Sequence, residues 1–83
     1  MGVDVNKPAT SSLDTRRGNF ETLSRREQQV LRELVGGKSN AQIASELYIS
    51  RETVKKHVSS ILGKTHTDNR VQAAVAAVRR GLV

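Results

Sequence analysis

Apolar residues at Val30, Leu31, Leu34 and Val35 recur at the spacing that lines one face of a helix, not at the alternation of a strand. Just upstream, Ser24 followed by Glu27 has capping-box spacing: the hydroxyl reaches one orphan backbone N–H and the carboxylate returns to another. A first helix is therefore predicted to begin after Ser24 and run to about Val35, with Gly36 and Gly37 as its stop, because glycine tolerates the left-handed backbone that closes a helix. Ser39 and Asn40 can cap a second, short helix whose buried side is Ile43, Ala44 and Leu47 and which ends near Tyr48. Ile49 then plugs the core. Ser50 caps a third helix in which Val54, Val58, Ile61 and Leu62 form one apolar stripe opposite a polar, basic face. Asp68 or Asn69 opens a fourth helix with Ala73, Ala74 and Ala77 on one side, closed by Gly81 before Leu82. No segment has a strand pattern. The predicted fold class is all-α, a compact four-helix domain containing a helix-turn-helix.

Residues 1–22 have no such period. They are poor in large apolar groups, rich in Ser, Thr, Asp and Asn, and hold the only proline, Pro8. They read as a flexible tail, either the remnant of a linker from an upstream domain or the start of a small stand-alone protein, with the domain occupying residues 23–83. At 83 residues there is material for one core and no second domain. The absence of cysteine excludes a disulfide framework and cysteine-ligated zinc. The longest apolar run, Ala73 to Val78, is far short of the roughly 20 residues of a membrane-spanning helix. The expectation is a soluble, cytoplasmic protein without a membrane partner.

Charge sharpens this picture once it is divided along the chain. Residues 1–22 carry three basic and three acidic groups, so the whole net charge of +6 lies downstream, where eleven basic residues face five acidic ones. A compact basic domain attracts a polyanion, of which nucleic acid is the commonest, although an acidic protein surface or anionic lipid would meet the same electrostatics. A helix-turn-helix gives that charge a use, since its second helix projects as a rod that fits the major groove. Ala44 is small where the two helices must cross, and Ile43, Leu47, Ile49 and Val54 join the pair to the rest of the domain.

The wider string is more specific. It runs Leu23-Ser24-x-x-Glu27, Val30-Leu31, Gly37-x-Ser39-Asn40-x-x-Ile43-Ala44, Leu47-x-Ile49-Ser50-x-x-Thr53-Val54-Lys55-x-His57, then Ile61, Lys64, Arg70-x-x-Ala73 and Gly81-Leu82. Over 61 of the 83 residues it resembles, in register, the LuxR/NarL/GerE-type DNA-binding domain that ends bacterial transcription regulators, many of them response regulators with this domain as output. The resemblance implies that the third helix, Arg51 to Lys64, reads the major groove of double-stranded DNA. It also implies that the fourth forms a two-fold homodimer on a partly palindromic site. On that basis Arg51, Glu52, Lys55, Lys56, Ser59, Ser60 and Gly63 face the DNA; Lys55, Lys56, Ser59 and Arg51 are the candidate base contacts, Lys55 matching the family's motif lysine. Asn40, Ser50, Thr53, His57, Lys64 and Arg70 are candidate phosphate contacts. With about five phosphates neutralised per monomer, a dimer's affinity would fall with salt at a log–log slope of about −9. RNA polymerase is a further partner open to such a regulator.

Plainer readings stand beside these. Arg25, Arg26 and Arg32 are expected to be solvated, and Glu27 to be a structural cap. His57, at the edge of the apolar stripe, also reads as a packed histidine making one hydrogen bond, and with His66 it is too isolated for a metal site. Tyr48 stands where many helix-turn-helix proteins have glycine, and relatives in this family often have an aromatic there. In the fourth helix Val71, Val75 and Val78, with Gln72 and Arg79, are the candidate dimer contact, small enough that dimerisation without DNA should be weak. No cofactor, metal or catalytic site is expected, since no nucleophile–base pair or phosphate-cradling glycine loop is present. Two other binding functions share the fold: an adaptor docking on polymerase or another regulator, which would not need basic side chains on the third helix, and the promoter-reading end of a sigma factor.

Overall fold

A computed structural model describes residues Phe20–Leu82, all of them in helices or the connections between helices. A single 3-10 turn, Phe20–Thr22, leads into α1 (Arg25–Val35), α2 (Asn40–Leu47), α3 (Arg51–Thr65) and α4 (Arg70–Arg79). The all-α, four-helix expectation holds, and the helix starts follow the caps: the side chains of Ser24, Ser39, Ser50 and Asn69 each accept a backbone N–H from three residues on. At Ser24 the box is complete, with Glu27 Oε1 accepting the Ser24 N–H at 2.9 Å. A second box at Ser39 and Gln42 closes in the same way.

The helix ends use two kinds of stop. Gly37 and Gly81 adopt positive φ just beyond α1 and α4, as the sequence suggested. Tyr48 and His66 take the same left-handed backbone after α2 and α3 without being glycine, a conformation that costs an ordinary residue about 1–2 kcal/mol.

One core joins the helices. Val30, Ile43, Val54, Ile61, Ala73 and Ala77 are fully buried, so every helix contributes, and α1 packs chiefly on α4 and α3 while α2 packs on α3. Each buried Val or Ile side chain contributes about 1.5–3 kcal/mol. The alanines of α4 do not fill volume; they allow close approach to α1, which leaves the valines of α4 on the outside.

The expected tail, residues 1–22, lies outside the described residues as far as residue 19, and its last three residues are not tail. Phe20 is 6 % exposed and belongs to the core, with the Arg80 guanidinium 4.7 Å from its ring centroid. The physical reason is the large apolar ring itself: burying it against Leu23, Leu31 and the end of α4 outweighs the polar character of its neighbours. Among the described residues no helix is long and apolar enough to cross a membrane.

Candidate nucleic-acid interface

The two faces of α3 are chemically opposite. Val54, Ile61 and Thr65 are buried on the inner face, with Val58 and Leu62 half-buried beside them, and the Thr65 hydroxyl is satisfied by donating to the Ile61 carbonyl at 2.7 Å. On the outer face Arg51, Glu52, Lys55, Lys56, Ser59 and Gly63 are exposed. None of the side chains of Arg51, Lys55, Lys56 and Ser59 makes a hydrogen bond or ion pair with another described residue. This contrasts with Lys38, in the connection between α1 and α2, whose ammonium lies 2.7 Å from both Glu33 and Glu46; hydrogen bonds to those two carboxylates push its pKa up.

Ser60 departs from the expected outer set. Its hydroxyl donates to Glu27 Oε2 at 2.6 Å, so it faces α1. Glu27 Oε1 also takes the Lys64 ammonium at 2.8 Å, and Lys64 reaches the Thr22 carbonyl at 3.3 Å. Burial alone would raise the Glu27 pKa, but the hydrogen bonds from Lys64, Ser60 and the Ser24 N–H outweigh it and hold the carboxyl at about 2. Glu27 thus does more than cap α1: it fastens α3 to it. Lys64, a candidate phosphate contact, also braces α3 against the residues before α1, its ammonium shared between the Glu27 carboxylate and the Thr22 carbonyl.

Apart from His57, the remaining phosphate candidates gather at the starts of α2 and α3, with Arg70 reaching α2 from the start of α4. Ser50 Oγ lies 2.9 Å from Thr53 Oγ1. One hydrogen joins the two hydroxyls, so the pair keeps one O–H for an outside acceptor whichever donates. At the start of α2, Asn40 Oδ1 accepts from Arg70 at 2.6 Å, and Arg70 also donates to the Lys38 carbonyl at 2.9 Å. Asn40 and Arg70, 30 residues apart in sequence, are therefore one unit that ties α4 to α2. The His57 imidazole is half-buried and makes no hydrogen bond to a described residue, where a packed histidine with one such bond was expected.

On α4, Val71, Val75 and Val78 form an apolar row, 68 %, 44 % and 54 % exposed, with Arg79 exposed beside it. Half-buried Val35 of α1 continues the row. Gln72 has a second task, since its side-chain carbonyl accepts the Asp68 N–H at 2.8 Å and so completes the α4 cap. Tyr48, in the turn between α2 and α3, is 94 % exposed. Among the described residues no group of His, Asp and Glu could hold a metal ion.

Sequence reasoning missed the Glu27–Ser60–Lys64 cluster, the Asn40–Arg70 pair and the Phe20–Arg80 contact. The Ser39-x-x-Gln42 box was legible by the same rule that found Ser24 and Glu27.

Against known proteins, residues 21–77 match the family described as bacterial regulatory proteins, luxR family. The uncharacterized transcriptional regulatory protein YhcZ of Bacillus subtilis is 46 % identical over 69 residues, covering 83 % of this chain and 32 % of that protein. The transcriptional regulatory protein DegU of Brevibacillus brevis is 48 % identical over 67 residues, 81 % of this chain and 28 % of its own length. The response regulator ChrA of a heme-sensing two-component system superposes with a TM-score of 0.70 at 39 % identity, over 89 % of this chain and 37 % of that one. The chain spans about a third of the length of the relatives it matches.

Proposed function

The chain belongs to the luxR family of bacterial regulatory proteins, as a DNA-binding transcription-regulator domain, and from that premise we propose that it reads a specific duplex site with α3 in the major groove. Arg51, Lys55, Lys56 and Ser59 are the base-edge readers. The observation that carries the reading is that the side chains of Arg51, Lys55 and Lys56 pair with no other described residue, on one exposed face of a helix whose other face is locked in the core. Rigidity matters here, because a reader must hold its donors in register with base edges, where a good bidentate pair discriminates by about 1–3 kcal/mol.

Phosphate contacts flank that face. The free hydroxyl of the Ser50–Thr53 pair and the early N–H groups of α3 meet one strand, and His57 donates from the helix flank. The Asn40–Arg70 unit, with the early N–H groups of α2, meets the other. Lys64 gives two of its three ammonium N–H groups to Glu27 and Thr22, which leaves one for a phosphate at the far end of α3.

The valine row of α4 pairs with its copy on a second protomer, with Arg79 and the Gln72 amide at the rim, so two α3 helices face half-sites about one DNA turn apart. The area of three valines is too small for a stable dimer in free solution, and DNA supplies the rest. The test is equilibrium binding to duplexes carrying one or two copies of the selected half-site. Wild type should prefer two, Val75→Arg should lose that preference while keeping single-site binding, and equal binding of wild type to both would remove the dimer from the scheme.

A further inference from the structure

Gly63 is out of place in its own fold. It lies inside α3 with three turns of helix before it, yet its φ is not positive, unlike Gly37 and Gly81, so no turn requires it. A Cβ built on it meets nothing within 4 Å, so no helix crossing requires it either. Glycine is the poorest helix former after proline, and alanine at this position would favour the helix and touch nothing. A residue that the chain's own structure disfavours without compensation points to something outside the chain.

Its neighbours identify that partner. Gly63 is exposed, four residues after Ser59 and seven after Lys56, which puts it on the same helical face as those two readers. It stands twelve residues beyond Arg51, about 18 Å along the axis, whereas the major groove is about 12 Å wide. A helix that enters by its N-terminal end therefore brings Gly63 to the strand bounding the groove. We infer that Gly63 is a clearance position: the sugar–phosphate backbone of DNA passes in van der Waals contact with the α3 main chain there, in space that a methyl group would fill. The inference rests on the reading that α3 docks in DNA.

Gly63→Ala and Gly63→Leu, compared with wild type for thermal stability and for binding to the selected duplex, test it. Both variants should unfold at higher temperature, by about 4–8 °C for the alanine, since the helix is improved. Both should nonetheless bind more weakly, about tenfold for alanine and more for leucine, and by the same factor on duplexes of altered base sequence, because the lost contact is to backbone. Equal or tighter binding by the more stable variants overturns the clearance role, and so does a loss confined to one base pair. A wild-type protein that binds no duplex defeats the docking reading itself, a separate result visible in the same titration.

Discussion

Glu27 and Ser60 stand 33 residues apart in sequence and share a 2.6 Å hydrogen bond, in which the Ser60 hydroxyl donates to a carboxylate that also accepts the Ser24 N–H to cap α1 and pairs with Lys64. One side chain thereby sets where α3 lies on the rest of the domain. Removing the carboxylate takes away the acceptor of the Ser24 N–H, the Ser60 hydroxyl and half-exposed Lys64, so Glu27→Ala should cost about 2 kcal/mol in urea unfolding. Glu27→Gln should cost less, because the amide oxygen can still accept the Ser24 N–H and the Ser60 hydroxyl can turn to accept from the amide NH2, while the attraction of Lys64 is lost. A Glu27→Ala variant within about 0.5 kcal/mol of wild type, the range of ordinary surface changes, would refute the brace.

The same carboxylate gives a pH dependence of known sign. Its pKa is depressed in the folded state, from 4.5 to about 2, so its contribution is fully present above pH 4.5 and is lost as pH falls through 2. Allowing for solvent around half-exposed Lys64, that contribution is on the order of 2 kcal/mol. The stability gap between wild type and Glu27→Gln should accordingly narrow between pH 4.5 and 2; a gap independent of pH would show the charge to be irrelevant.

Much of this architecture was legible from local rules. Ser24, Ser39, Ser50 and Asn69 announce the helix starts, because a cap acts on a backbone group three residues away. The stripe from Val54 to Leu62 announces which face of α3 is buried. What local rules do not reach are partners that only the tertiary fold brings together. Ser60 and Lys64 look like members of a polar, DNA-facing surface until α1 supplies a carboxylate beside them. Phe20 looks like part of a polar tail until the end of α4 arrives over it. Arg70 and Asn40 were each singled out, but nothing in their spacing shows that they meet.

Arg70 should behave as a brace that only arginine can supply. Its guanidinium donates to two acceptors at once, Asn40 Oδ1 and the Lys38 carbonyl, a fork that an ammonium does not reproduce. Arg70→Lys and Arg70→Ala should therefore destabilise by similar amounts, about 1–2 kcal/mol, and both should weaken DNA binding. Full rescue by lysine in a calorimetric melt would mean that charge, not geometry, is what matters.

Tyr48 offers the opposite case, a residue whose backbone favours glycine. With φ at 59° and the side chain 94 % exposed, Tyr48→Gly should relieve strain and lose little packing, raising stability by about 0.5–1 kcal/mol. A fall in stability would show that the exposed ring supports the fold after all.

Salt dependence separates docking from incidental attraction. With the charge of Lys64 already balanced by Glu27, about four phosphates per protomer remain to be neutralised, and a dimer should show a log–log slope of about −7 where the sequence alone suggested about −9. A slope shallower than about −3 would leave too few phosphate contacts for two docked protomers.

The most direct test of the central claim is selection from a pool of random duplex DNA, run in parallel with wild type, Lys55→Ala and Lys56→Ala. The account predicts that wild type enriches a two-fold motif and that each variant relaxes or changes the preference at particular base pairs within it. Enrichment of the same motif by all three proteins, or of none by wild type, would contradict the assignment of the α3 face as the reader.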